Sequence, residues 1–102
     1  MYINSTEAIS GVPASWPGYV LGIGASGSKV LQMQEQLNRI AQNYPAIPQI
    51  TPDGIYGSGT AEAVRKFQQI FKLPQTGEVD YSTWYEISDI FVGVTRIAEP
   101  GT

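Results

Sequence analysis

The chain has 102 residues, 42% hydrophobic and 15% charged, a length that suits one packed domain with a modest core. It contains no cysteine and no histidine, so disulfide staples, thiolate metal sites and the usual near-neutral proton shuttle are excluded, and no metal or cofactor is expected. Nine acidic against six basic residues give a net charge of -3, and Lys29, Arg39, Arg65, Lys66, Lys72 and Arg96 are scattered rather than striped, which argues against nucleic acid as a partner.

No stretch reaches the ~18 consecutive apolar residues of a membrane span. Residues 1–10 lack the basic and apolar blocks of a secretory signal. Either the protein stays inside the cell or it is a segment of a longer chain, and the polar tail Glu99-Pro100-Gly101-Thr102 favours the second. In residues 1–25, Pro13, Pro17 and repeated glycines rule out a helix, yet Trp16, Tyr19, Val20, Leu21 and Ile23 are too apolar for a free linker. An extended arm lying on the domain, with one short strand-like stretch, is expected there.

The first helix is predicted over residues 28–43, where Val30, Met33, Leu37, Ile40 and Tyr44 recur at three- and four-residue spacing and Pro45 ends the run. A loop rich in proline and glycine follows, ending in Asp53-Gly54-Ile55-Tyr56-Gly57. A second helix is predicted from Ser58 to about Lys72, with Ala63, Val64, Phe67, Ile70 and Phe71 on one face and Pro74 beyond its end. The third spans about 81–92, with Trp84, Ile87 and Phe91 inward, Asp80 as N-cap and Gly93 placed to close it. Gly54 precedes Thr60 by the same interval as Gly77 precedes Thr83, making Gly57 and Asp80 equivalent helix starts. This is one chain-reversing device used twice.

The run Asp53-Gly-Ile-Tyr-Gly-Ser-Gly-Thr-Ala-Glu-Ala-Val-Arg-Lys-Phe-Gln68 resembles the signature of the peptidoglycan-binding-domain family, compact three-helix modules attached to many cell-wall hydrolases. The segment from Gly27 to Gln34, with Leu37, resembles that family's first helix. Leu73, Thr76-Gly77, Val79-Asp80 and Thr83-Trp84 resemble its closing turn and third helix. The likeness spans residues 26–92. It implies an all-α fold, a compact three-helix bundle, to which the sequence adds the extended Pro/Gly-rich N-terminal arm. Three regions are expected: an arm over 1–25, the domain over 26–93, and a tail or linker over 94–102. It also implies noncovalent binding of peptidoglycan, glycan strand or stem peptide, outside the cell at a vegetative or spore wall. A hydrolase domain in the parent chain is an expected partner.

Most of the matching residues have structural roles: Gly54, Gly57 and Gly77 as backbone hinges, Val64, Phe67 and Trp84 as core. Four are candidate ligand contacts. Asp53 either accepts hydrogen bonds from turn amides or meets sugar hydroxyls and peptide amides. Arg65 either makes a surface ion pair or forks onto a carboxylate of the ligand. Gln68 is either solvated or pairs with a ligand amide. Tyr56, like Tyr81 and Tyr85, is either a packing anchor or a ring for the flat C–H face of a sugar. The expected site is a shallow groove between the Asp53–Gly57 loop and the second helix, with Asp53, Tyr56, Arg65 and Gln68 on its rim.

Catalysis is not expected. Glycoside cleavage needs two carboxylates facing across a cleft, whereas Asp80 serves as a cap and Glu62, Glu86 and Asp89 sit on polar helix faces. The glycines at 22, 24 and 27 have dinucleotide-site spacing without the required βαβ context. The competing reading is a structural or protein-interaction module that buries the apolar arm on a partner. A pro-segment, resembling the helical prodomains of some metalloproteases, is a third, without the cysteine that would silence a zinc.

Overall fold

A computed structural model describes residues 16–97. Among the described residues three helices make up the fold: α1 (Ser28–Ala41), α2 (Ser58–Ile70) and α3 (Tyr81–Ile97). The expected all-α three-helix class is the one observed. The expectations for residues 1–15 and 98–102 lie outside the described residues.

The helices form where apolar side chains recur on one face, and those faces meet. Val30, Met33, Leu37 and Ile40 of α1, Ala63, Val64 and Phe67 of α2, and Trp84 and Ile87 of α3 are buried in a single cluster. The largest helix–helix contact is between α1 and α3. At one edge Phe71 packs against Phe67 and Tyr44, with ring centroids 4.6 and 5.2 Å away. Helix α2 ends one turn before Pro74, with Lys72 in the left-handed region (φ 63) and the Leu73 amide reaching back 2.8 Å to the Gln68 carbonyl.

Helix α3 corrects an expectation. It was expected to close at Gly93, but it runs through that glycine to Ile97, so the first residues of the expected tail are helical. Val94 is 5% exposed and belongs to the core, and the Arg39 guanidinium donates to its carbonyl at 3.3 Å. Burying Val94 outweighs the ~1 kcal/mol that an interior glycine costs a helix.

The described part of the arm is pinned to the bundle by backbone pairing. Leu21 exchanges two hydrogen bonds with Val79, at 3.0 and 2.8 Å. Three residues on, the Gly24 amide donates to the Tyr56 carbonyl and the Tyr56 amide to the Ala25 carbonyl. The Leu21 side chain is 1% exposed, and Trp16 meets Trp84 and Tyr81 edge-on. The arm thereby ties the loop before α2 to the loop before α3. Truncating Leu21→Ala should cost ~2–5 kcal/mol in urea unfolding; a cost below ~0.5 kcal/mol, the range of surface substitutions, would show that the arm is not part of the folded unit.

Candidate functional site

The two corners that precede α2 and α3 are built the same way, each around one buried glutamine. Gln34 of α1 is fully buried. Its Oε1 accepts from the Gly54 amide at 2.8 Å, and its Nε2 donates to the Ile55 carbonyl at 3.0 Å and to Thr60 Oγ1 at 3.1 Å. Gln68 of α2 repeats the pattern. Its Oε1 accepts from the Gly77 amide at 2.9 Å, and its Nε2 donates to the Glu78 carbonyl at 2.9 Å and to Thr83 Oγ1 at 3.1 Å. Gly54 and Gly77 have φ of 77° and 75°, which a side chain would strain. Asp53 and Thr76 match as well: Asp53 Oδ1 accepts from the Ile55 amide at 2.9 Å and Thr76 Oγ1 from the Glu78 amide at 3.1 Å. The echo in the sequence is a buried amide gripping a glycine turn.

The corners differ at the helix each one starts. Asp80 caps α3, its Oδ1 accepting from the Thr83 amide at 2.9 Å. Helix α2 starts at Gly57 with no side-chain cap. Beside that start lies an open hollow of about 360 Å³, lined by Ile50, Thr51, Asp53, Ile55, Gly59 and Thr60 among others. Its far wall is held by Asn38, one turn beyond Gln34 on α1. The Asn38 amide donates to the Ile50 carbonyl at 2.7 Å and accepts from the Ile50 amide at 2.8 Å. One polar ridge of α1 thus fixes both walls of the hollow. Among the described residues no group of His, Cys, Asp and Glu could hold a metal ion, and no helix is long and apolar enough to cross a membrane.

Residues 26–87 match the family described as "Putative peptidoglycan binding domain". The chain belongs to the peptidoglycan-binding domain family. Among solved structures, the N-terminal domain of SleB is similar, with 32% identity, a TM-score of 0.61, and coverage of 72% of this chain and 93% of that one. No curated protein matches the sequence. Family membership makes this a cell-wall binding module.

Within this peptidoglycan-binding domain, the four predicted site residues do not share a rim. Tyr56 is 1% exposed, and its hydroxyl donates at 2.6 Å to the Gly77 carbonyl, joining the two corners. Gln68 is 1% exposed with its amide fully engaged. Both face inward, because a turn amide and a carbonyl need buried partners there. Arg65 is half-buried, pairs with Glu62 and lies against Gly77 at the second corner. Asp53 alone of the four borders the hollow, and its Oδ1 does the turn work foreseen as one of its two roles. Sequence reasoning missed Gln34 and Asn38 as the residues that shape the site. The available signal was an amide pair four residues apart beside the core positions Met33 and Leu37.

Burial, and secondarily the charge of Glu78, raises the Tyr56 hydroxyl well above the ordinary phenol value. A raised folded-state value means stability that is complete below about pH 10 and lost as pH climbs toward the folded value. The Tyr56→Phe variant should therefore be less stable at neutral pH, by about 1–3 kcal/mol for the stranded Gly77 carbonyl. It should also lose stability less steeply above pH 10, as read by urea titrations across pH. Gln34→Leu and Gln68→Leu should each cost about 1–3 kcal/mol for every turn group left unpaired. Unfolding midpoints equal to the parent's would remove the glutamine clamps as determinants of the corners.

Proposed function

We propose that this domain binds peptidoglycan without catalysis, through the hollow at its first corner, and so holds an attached or associated protein at the bacterial cell wall. The observation that carries this reading is the asymmetry between two otherwise matched corners. The second has Asp80 as its helix cap, whereas the first presents an uncapped helix start beside an open hollow of mixed polar and apolar lining. The first-turn amides of α2 are donors without intrahelical partners, suited to the carbonyl and carboxylate oxygens of stem peptides and N-acetyl groups. The second carboxylate oxygen of Asp53 suits an amide hydrogen or a sugar hydroxyl. Ile55, 60% exposed, offers an apolar wall.

Tyr56 and Gln68 support this site from behind by fixing the corners, and Arg65 stands outside it. Asp53 is the single acid among the residues lining the hollow, so the facing carboxylate pair of a glycosidase is missing. A binding role fits. Weak intrinsic affinity suffices for a tether, because linkage makes the partner's encounter with the wall intramolecular.

A second reading, a protein-interaction module, is favoured by the arm, where Tyr19, Val20 and Ile23 are all more than half exposed. The experiment that separates the two uses Gly59→Leu. Gly59 lines the hollow and nothing lies within 4 Å of the position a Cβ would take there, so a side chain added at Gly59 starts without a clash. Sedimentation with purified sacculi should lose most of the bound fraction for Gly59→Leu and a smaller share for Asp53→Asn, with thermal unfolding no lower than the parent's. Parent-like binding by both variants would remove the hollow as the site and favour the arm.

A further inference from the structure

We infer that the outward face of α3 is a second, linear binding surface for an extended uncharged polysaccharide strand. Exposed positions recur there at every fourth residue: Tyr81, Tyr85, Asp89 and Gly93. They form one ridge of the helix, roughly 18 Å long over twelve residues, which exceeds the length of one sugar. At its start the Tyr81 and Tyr85 rings lie nearly parallel, inclined by 21° with centroids 6.3 Å apart, and are 49% and 39% exposed. Trp16 stands edge-on to Tyr81 at 5.8 Å and holds that ring in place, which lowers the ordering cost of binding.

The far end of the ridge opens into a hollow of about 390 Å³ lined by Tyr44, Asp89, Val92, Gly93 and Arg96 among others. A Cβ at Gly93 would meet nothing within 4 Å, so the helix surface there is open. The residues lining this hollow and those lining the first-corner hollow do not overlap. The occupant follows from shape and charge. Two tyrosines supply flat apolar faces with hydroxyl edges, Asp89 and Arg96 balance each other, and no lysine stands on the ridge. A polyanion finds no cationic row, whereas hydroxyl and acetamido groups find both acceptors and donors. A linear ridge suits a strand rather than a compact ligand. This goes beyond the first-corner site and borrows from that reading only the class of sugar used as probe.

The test uses the full chain, titrated with β-1,4-linked N-acetylglucosamine oligomers of two to six sugars and followed by backbone amide chemical shifts. Affinity should rise with oligomer length, with perturbations along residues 81–96. Tyr85→Ala should weaken every oligomer roughly tenfold, the scale of one lost aromatic contact. Gly93→Leu should remove the gain from length and leave the dimer's affinity unchanged. Gly59→Leu should leave all of these values as they are, so failure at the first corner and failure here can be told apart. The proposal is overturned by undetectable binding at millimolar hexamer, by perturbations confined to the first-corner hollow, or by a Tyr85→Ala affinity equal to the parent's. It is also overturned if the variant's main effect is loss of self-association in sedimentation.

Discussion

A glutamine buried beside a helix must find acceptors for two amide hydrogens and a donor for its oxygen, or leave them stranded at a cost of several kcal/mol. Gln34 and Gln68 each find all of these in the turn that leads into the next helix. Each turn therefore has one permitted position relative to the helix behind it. The Tyr56 hydroxyl on the Gly77 carbonyl then fixes one turn against the other. The arm closes the arrangement by pairing with both. Helix packing alone would leave these loops free to slide, because apolar contact has no preferred direction.

Two copies of one corner invite comparison, and their differences separate scaffold from site. In the second copy Thr76 stands where Asp53 stands in the first, and Asp80 where Gly57 stands. Replacing the capping carboxylate by glycine leaves the amides of α2 without a side-chain partner beside an open hollow. Replacing the threonine by aspartate adds a negative oxygen at the same place. Neither change serves the turn better, since Thr76 and Asp80 already satisfy the second one. That is why the first corner carries the proposed recognition role and the second reads as structure. Arg65 and Glu62, a surface pair, belong to that second corner and contribute little by themselves.

The amphipathic spacing of the chain determined the three helices and the core residues on their inward faces. It did so because Val30, Leu37, Val64, Phe67, Trp84 and Ile87 repeat at the period that only one side of a helix can bury. The local signals were also sufficient for Asp80 as a cap and for Gly54 and Gly77 as reversals, since a cap and a positive φ depend on a few neighbouring atoms. The string Asp53 to Gln68 carried the family for the same reason: it encodes one corner and the helix it starts.

Tertiary structure alone decided which polar residues face the solvent and where α3 ends. Tyr56 and Gln68 look like surface groups in sequence, because a hydroxyl or an amide goes inside only when a partner distant in the chain waits there. Those partners, the Gly77 turn and Glu78, come from the other corner or the loop beyond. Gln34 and Asn38 shape the hollow through contacts 12 to 26 residues away, a range at which helical periodicity is silent. Gly93 reads as a stop until Val94 is seen in the core, where burial overrides a local preference of about 1 kcal/mol.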